Sequence, residues 1–251
     1  MAEFKDNFNM IRRPTDIERM VNDLGFLPFC ANDISQFSIE ENTPGDLWFV
    51  DDTDGPWEWK GPVIVDGDCA YGKFYRNKTM YVSMEWFPDF MNWRRSQYKL
   101  TAQEKKVLTV LKEHHSLLSK QLKRESGYLP KNRHRPNNPV LQLSEDETRS
   151  DMELRRASTA KNKKKKESFE TCITHLQMST HVVTADFEYN YDKQGKRYGW
   201  GVARYCTPED FFGAERLIVD RTPEESVRKI FNHLRKRLPW ATEEQIWKII
   251  M

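Results

Sequence analysis

Hydrophobic residues recur at the spacing of an amphipathic helix near both ends of the chain. Apolar residues three and four positions apart form three such stripes: Ile17, Met20, Val21 and Leu24; Val227, Ile230, Phe231 and Leu234; and Ile246, Ile249 and Ile250. A threonine with Glu or Gln three residues later has the capping-box spacing that starts a helix. Four such pairs predict helix starts: Thr15/Glu18, Thr101/Glu104, Thr222/Glu225 and Thr242/Gln245.

Residues 45–95 carry shorter apolar runs that are separated by turn residues. The runs at 62–66, 69–75 and 79–83 have the composition and length of β-strands. The aromatic segment 83–95 predicts a short helix that is broken near Pro88. Five of the eight tryptophans fall in this region. We therefore expect residues 1–100 to form an aromatic-rich α+β unit.

A second pattern begins at Thr101. Three helical stripes follow one another: Val107, Leu108, Val110 and Leu111; Leu117, Leu118 and Leu122; and Phe169, Cys172, Ile173 and Leu176, within 168–178. Two β-like runs, 181–189 and 197–205, are joined by a turn with Gly195. Three helices followed by a hairpin are typical of a winged helix. The sequence predicts a winged helix-turn-helix domain over 101–213, with two helices in 214–251 that pack back on the body.

The segment 128–167 interrupts this order between the second and third helices. It has an acidic stretch followed by a basic one ending in four consecutive lysines, with almost nothing apolar to bury. That composition predicts a disordered charged insertion. As a mobile polycation it would hold DNA in a salt-sensitive, sequence-blind manner, and the alternative is a solvated loop with no specific role.

The overall composition excludes several classes of protein. With 40 basic and 38 acidic residues among 251, the net charge is +2, so any nucleic acid must bind at local patches. The apolar runs are far shorter than the roughly 20 residues of a membrane helix, and no signal-peptide block is present. The four cysteines form no C-x-x-C pair. We expect a cytoplasmic protein with reduced thiols, no metal site and no cofactor.

The winged-helix interpretation predicts where DNA would bind. The third helix of such a domain enters the major groove and its hairpin touches the flanking backbone. The predicted contacts are Thr171, Thr174, His175 and Gln177 on the face of 168–178 that is expected to be exposed, Lys193, Lys196 and Arg197 at the hairpin tip, and Lys120, Lys123 and Arg124 on the second helix. The alternatives are a solvated polar face and a surface that binds a protein partner.

The N-terminal unit offers a second candidate site. Aromatic and basic residues are interleaved there in a way that could build a base-stacking, phosphate-gripping cleft: Trp57, Trp59, Tyr71, Lys73, Trp93, Arg94 and Arg95. The alternative is a tryptophan-rich core in which the two arginines pair with acidic residues. No G-x-S-x-G, P-loop, H-E-x-x-H or G-x-G-x-x-G motif is present.

Several strings together resemble a known group. They are GPWEWKGPVIVDGDCAYGKFY, EWFPDFMNWRR, LTAQEKKVLTVLKEHHSLLSKQLKRESGY and ETCITHLQMSTHVVTADFEYNYDKQGKRYGWGVARYCTPE. They resemble the AlkZ-related, winged-helix DNA-binding-domain proteins of bacteria, distant relatives of winged-helix DNA glycosylases that unhook alkylated or crosslinked bases. The resemblance covers roughly 44–213, except the insertion.

The resemblance implies the handling of nucleic acid. The active glycosylases carry a Gln–apolar–Gln or Gln–apolar–Asp motif that positions the attacking water. The nearest string here is Gln177-Met178-Ser179, which makes Gln177 the candidate catalytic residue. Ser179 departs from the motif because a hydroxyl cannot act as a carboxylate would.

The sequence thus predicts an α+β protein that binds DNA through a winged helix, in repair or regulation, and that would be nucleoid-associated in a bacterial host. One alternative is a DNA glycosylase acting on alkylated or crosslinked bases. The other is a protein-interaction module that does not bind nucleic acid. The oligomeric state is left open.

Overall fold

The computed structural model describes residues 11–48, 54–129, 167–195 and 197–251. Most of the predicted insertion, residues 130–166, and the predicted DNA contact Lys196 lie outside these residues. The described chain is a mixture of helices and small antiparallel sheets, which confirms the predicted α+β class. None of its helices combines the length and the apolar character that crossing a membrane requires.

The helices and strands alternate in short stretches along the chain. The α-helices are α1 (Pro14–Leu24), α2 (Ile39–Asn42), α3 (Pro56–Asp66), α4 (Phe87–Gln97), α5 (Ala102–His114), α6 (Ser119–Glu125), α7 (Phe169–Met178), α8 (Pro208–Phe212), α9 (Pro223–Arg237) and α10 (Glu243–Ile250). The strands are β1 (Phe26–Pro28), β2 (Cys69–Tyr75), β3 (Lys78–Ser83), β4 (Ser116–Leu118), β5 (Val183–Tyr191) and β6 (Arg197–Cys206).

The larger hydrophobic core surrounds the first sheet, whose strand order is β1-β3-β2 with antiparallel pairs. Helices α1, α3 and α4 contribute Ile17, Ile64 and Phe90 to this core. The C-terminal helices contribute Ile230 and Ile249, and α9 packs directly on α4. The three stripes near the ends of the chain therefore close one common core, which explains why each is apolar on a single face.

A smaller core lies under the second sheet, whose strand order is β4-β6-β5. Its elements follow in the order α5, β4, α6, α7, β5 and β6. Residues predicted for the three helices meet in this core: Val107, Leu108, Leu111, Leu122, Phe169, Cys172, Ile173 and Leu176. The prediction that Leu117 and Leu118 belong to the second helix is wrong, because both lie in β4, which pairs with β6, and the helix begins at Ser119. The base of the hairpin joins the two cores, because Val183 packs in the larger one and Val182 in the smaller.

One predicted strand is wrong. Residues 62–66 belong to α3, which begins after Gly55 and contains Pro62. The Glu58 carboxylate accepts the backbone N–H of Gly55 at 3.0 Å and so caps this helix. Val63 and Ile64 are buried whereas Val65 is exposed, which matches one face of a helix. A short apolar run fits a strand and a buried helix equally well, and packing decided between them.

Three of the four predicted helix starts are confirmed. Thr101, Thr222 and Thr242 each accept the backbone N–H three residues on. The N-cap predicted at Thr15 is wrong, because Arg13 holds that position and α1 begins at Pro14, whose fixed φ suits the first helical position. The prediction that Pro88 breaks a helix is also wrong, because Pro88 lies in the first turn of α4, which begins at Phe87.

Candidate functional site

The β5–β6 hairpin presents an exposed set of aromatic rings. Tyr191, Tyr198 and Trp200 have 57, 39 and 74% of their surface accessible. Lys193, in the turn, is also exposed, and Arg197 begins the second strand. We call these five residues the hairpin surface. Exposed aromatic rings beside basic groups are the combination that binds single-stranded nucleic acid elsewhere.

The hairpin surface continues into an aromatic cluster of the N-terminal unit. The ring of Trp200 meets that of Trp57 edge-on, with centroids 6.0 Å apart. Trp57 in turn contacts Trp48 at 5.7 Å and Phe29 at 5.0 Å. The arrangement arises because β5 packs against α3, the helix that carries Trp57. Two sites that the sequence analysis treated separately, the hairpin tip and the tryptophan-rich region, thus adjoin.

An ion pair connects the hairpin tip to Asp54, which lies just before α3. The Arg197 guanidinium donates to the Asp54 carboxylate at 2.6 Å and lies 4.7 Å above the Tyr189 ring. Burial alone would lower the pKa of Arg197, but the hydrogen bond and the charge of Asp54 raise it overall. Arg197 is therefore a fixed cation at the edge of the hairpin surface, partly neutralised by Asp54.

A lysine lies within this aromatic cluster. The Lys60 ammonium lies 4.6, 4.9 and 5.7 Å from the ring centroids of Phe187, Trp57 and Phe29. Burial lowers the pKa of Lys60 to about 8, while the nearby Glu58 carboxylate acts in the opposite direction. The rings hold the ammonium by cation–π attraction where water can solvate it only in part.

Helix α7 does not present the polar face that the sequence predicted. Thr171 is exposed and His175 half-buried, but Thr174 and Gln177 are buried, Gln177 with 2% of its surface accessible. Both contact β2 of the first sheet, because the Lys73 backbone N–H donates to Gln177 Oε1 at 2.9 Å and Lys73 Nζ donates to Thr174 Oγ1 at 3.1 Å. The prediction that these two side chains are exposed is wrong, since α7 packs on two sides.

The glycosylase-like string is likewise engaged in the fold. Gln177 is buried and accepts the Lys73 backbone N–H at 2.9 Å, while its own Nε2 has no hydrogen-bond partner among the described residues. Ser179 is buried and donates to the His175 carbonyl at 2.8 Å. Gln177 therefore joins the end of α7 to β2, whereas Ser179 bonds back to the last turn of α7 itself.

The basic residues of α6 are half-buried on that helix: Lys120, Lys123 and Arg124. Lys123 Nζ donates to Glu170 Oε1 of α7 at 2.7 Å. Burial alone would raise the pKa of Glu170, but this bond to Lys123 helps to lower it overall. A phosphate at Lys123 would have to compete with this carboxylate.

A group of possible metal-binding atoms lies at the α5–α7 contact. His175 Nδ1 is 3.4 Å from Glu104 Oε1 and 3.2 Å from Glu167 Oε1, and one ligand atom of each residue lies within 4.8 Å of the others. The buried Glu104 also accepts the Tyr98 hydroxyl at 2.6 Å and the Thr101 N–H at 2.7 Å. One nitrogen and two carboxylates are ligands that suit a divalent cation. The hydrogen bonds from Tyr98 and Thr101, however, are sufficient to explain why the Glu104 carboxylate is buried without a metal.

Three of the seven residues of the predicted N-terminal cleft are buried. Trp59, Tyr71 and Arg94 are buried, and Trp93 is half-buried. The buried residues cannot line an open cleft, so the alternative of a tryptophan-rich core describes them better. Of the predicted cleft, Trp57 is the residue that reaches the hairpin surface.

The two arginines of that cleft hold elements together. Arg95 pairs with Glu209 at 2.5 Å, as the core alternative expected. Arg94 instead donates to backbone carbonyls of Phe74, Met178 and Ile250, at 2.8, 2.9 and 2.6 Å.

The sequence analysis did not select Tyr191, Tyr198, Trp200 or Lys60. A signal for the first three was present, because all lie within the string YNYDKQGKRYGWG around the predicted turn. For Lys60 the only local signal was its place in WEWKG, which does not reveal that Phe29 and Phe187 complete its surroundings.

Comparison with known proteins gave one informative match. A family model described as AlkZ related matches residues 11–251. No curated protein and no solved structure matches the chain.

Proposed function

The chain belongs to the AlkZ-related family, and on that premise we propose that it is a DNA-binding protein that acts in DNA repair. The family's relation to glycosylases that unhook modified bases supports the link to repair. The order α5, β4, α6, α7, β5, β6, with the strand order β4-β6-β5, supports the winged-helix interpretation of this part of the chain.

The hairpin surface is the observation that carries the proposal. Stacking of one base on an aromatic side chain contributes about 1–3 kcal/mol, whatever the base. Lys193 and Arg197 lie on the same hairpin, where a phosphate backbone would follow the stacked bases. Lys196, outside the described residues, remains a predicted phosphate contact.

Aromatic stacking also indicates which form of DNA binds best. The bases of an intact duplex already stack on one another, so their faces are not available to Trp200 or Tyr191. We therefore propose a preference for DNA in which a base is unpaired or missing, as at a lesion.

The test is DNA binding by the Trp200→Ala variant. We expect affinity for a single-stranded or bubble oligonucleotide to fall about tenfold, which corresponds to the loss of about 1.4 kcal/mol of stacking. Fluorescence anisotropy measures it, and the unfolding temperature should change little because Trp200 is so exposed. Trp240→Ala, another exposed tryptophan but in the C-terminal region, is the matched control.

The salt dependence of binding separates DNA from a protein partner. Each phosphate contact that is lost lowers the slope of log affinity against log salt by about one. Lys193→Glu should therefore weaken binding most at low salt. A wild-type protein that binds neither single-stranded nor lesion-containing DNA at low salt would contradict the proposal and favour the protein-interaction alternative.

The glycosylase alternative needs its own assay. Incubation with an alkylated duplex, followed by cleavage at abasic sites, detects base release directly. The catalytic candidate Gln177 is buried and bonded to Lys73, so Gln177→Ala must be checked for folding before its activity is interpreted.

A further inference from the structure

The amine of Lys60 lies among aromatic rings, which is an unusual environment for a lysine. Its side chain is half-buried on α3, and the ring faces of Phe29, Trp57 and Phe187 surround its Nζ at 4.6 to 5.7 Å. Lysine ammonium groups normally extend into water, because removing the charge from water is costly. These aromatic neighbours come from three separate parts of the chain, so the fold as a whole builds the environment of this amine.

Two titratable groups influence the amine. Glu58, on the same helix, favours the charged ammonium, but its Oε2 is held by the Gly55 N–H at 3.0 Å. Cys30, beyond β1, is the second, and its own pKa is raised by burial. The carboxylate of Asp186, on the neighbouring β5, accepts the backbone N–H of Phe187 at 2.7 Å. Desolvation outweighs these charges, and it brings the pKa of Lys60 to about 8.

A desolvated lysine is a nucleophile. Because burial lowers the pKa of Lys60, a larger share of its amine is neutral near pH 7.5 than in an ordinary lysine. Lysines activated by desolvation in a hydrophobic pocket form imines with carbonyl compounds.

We propose that Lys60 is a nucleophilic amine that captures the aldehyde of an abasic site in DNA. The inference rests on the proposed function, because the hairpin surface supplies the DNA. Trp57 connects the two places, since its ring lies 4.9 Å from Lys60 Nζ and 6.0 Å from Trp200. An exposed indole such as Trp200 has the size to fill the gap that a missing base leaves in a stack.

The chemistry is a condensation without oxidation or reduction. The ammonium first loses a proton to water, and the Nζ lone pair attacks C1′ of the ring-opened deoxyribose. The carbinolamine that forms loses one molecule of water, so the C–O bond breaks and a C=N bond takes its place. The product is an imine that joins Lys60 to the sugar and hydrolyses back to the aldehyde unless it is reduced.

Borohydride trapping tests the inference. The full-length protein is incubated with a duplex that carries one abasic site, and sodium borohydride reduces any imine to a stable secondary amine. We expect a covalent complex on a denaturing gel, and peptide mass spectrometry should locate the adduct at Lys60. An undamaged duplex should give no complex.

Two variants distinguish a role of Lys60 as a nucleophile from a role as a positive charge. Lys60→Arg keeps a cation among the rings but cannot form the imine, and Lys60→Met keeps only the length of the side chain; both should lose at least tenfold of the trapped complex. Lys78→Met, at an exposed lysine of β3, is the matched control and should trap as well as the wild type. DNA binding of all three variants is measured in parallel.

The pH profile gives a second readout. Trapping by the wild type should rise with a midpoint near pH 8 instead of near the usual pKa of lysine. Glu58→Gln removes the charge that favours the ammonium, so the midpoint should move to lower pH.

The outcomes distinguish the inference from the proposed function. Binding of abasic DNA without a trapped complex, an adduct on another lysine, or undiminished trapping by Lys60→Arg would overturn the inference and leave DNA binding standing. Absence of any DNA binding by the wild type would overturn both.

Discussion

At the scale of single residues, His181 links stability to pH. It lies directly after α7, half-buried, and its pKa is lowered to about 4, by burial first and by the charge of Arg95 second. The unfolded chain, with a histidine pKa near 6.5, therefore takes up the proton first as the pH falls. The stability that the neutral ring contributes is complete above pH 6.5 and is lost as the pH falls towards 4.

We predict that His181 makes the free energy of unfolding about 1 kcal/mol smaller at pH 5 than at pH 7, after allowance for solvent screening of a half-exposed ring. His181→Gln should remove that part of the pH dependence. Urea denaturation at the two pH values measures it. His114→Gln, at an exposed histidine of α5, serves as the control and should keep the wild-type slope; equal slopes for both variants would contradict the prediction.

At the scale of elements, the Arg94 side chain connects one strand and three helices. From α4, its guanidinium donates to a carbonyl of β2, to Met178 at the end of α7 and to Ile249 and Ile250 at the end of α10. Helix ends and strand edges have unpaired carbonyls, so one buried cation satisfies several of them at once. Burial lowers the pKa of Arg94 to about 9, which still leaves it charged at neutral pH.

Arg94→Met should destabilise the fold by about 3 kcal/mol or more, because the buried carbonyls lose their donor. The midpoint of urea unfolding, at an unchanged denaturant slope, is the measurement. Arg76→Met is the control, since Arg76 forms an exposed pair with Asp33 at 3.5 Å that contributes little. A loss below 1 kcal/mol for Arg94→Met would show that the carbonyls find other donors.

At the scale of the whole molecule, the C-terminal helices complete the larger core. Asp89 of α4 holds the first of them, α9, because its buried carboxylate accepts hydrogen bonds from Arg221 at 2.8 Å, Ser226 at 2.8 Å and Lys229 at 2.7 Å. The Asp89 contacts thereby join α4 to the C-terminal part of the larger core, so we expect the two to unfold together.

Asp89→Asn should lower the stability of the whole protein by about 2–3 kcal/mol in a single cooperative transition, because two cations lose their buried partner while keeping access to water. Calorimetry and circular dichroism should report the same midpoint. Asp33→Asn, at an exposed carboxylate with partners at 3.4 and 3.5 Å, should cost little. A separate early transition for the C-terminal helices would contradict the expected coupling.

Much of the local structure could be predicted from the sequence because it depends on neighbours three or four residues away. The capping boxes at Thr101, Thr222 and Thr242 are of this kind, as is the apolar stripe of α7. The helical structure of residues 62–66 could not be predicted in this way. A short apolar run with branched residues fits a buried strand and a buried helix equally well.

The candidate site depended more on distant contacts. The exposure of Lys193 was predictable, since a charged residue in a turn stays at the surface. That of Trp200 was not, because aromatic residues usually pack inside and its exposure depends on what covers that side of the hairpin. The burial of Gln177 was equally unpredictable, because polar residues usually face water and this one is buried only because β2 packs against it.

The sequence by itself thus determined the α+β class, the capped helices, the strands around their turns and the membership of residues 11–251 in a family. Only the tertiary structure decided which polar side chains are buried, which rings face water, and that Lys60 meets Phe29, Trp57 and Phe187. The physical reason is range: helix caps and turns are made by residues a few positions apart, whereas desolvation of a side chain depends on every segment that packs around it.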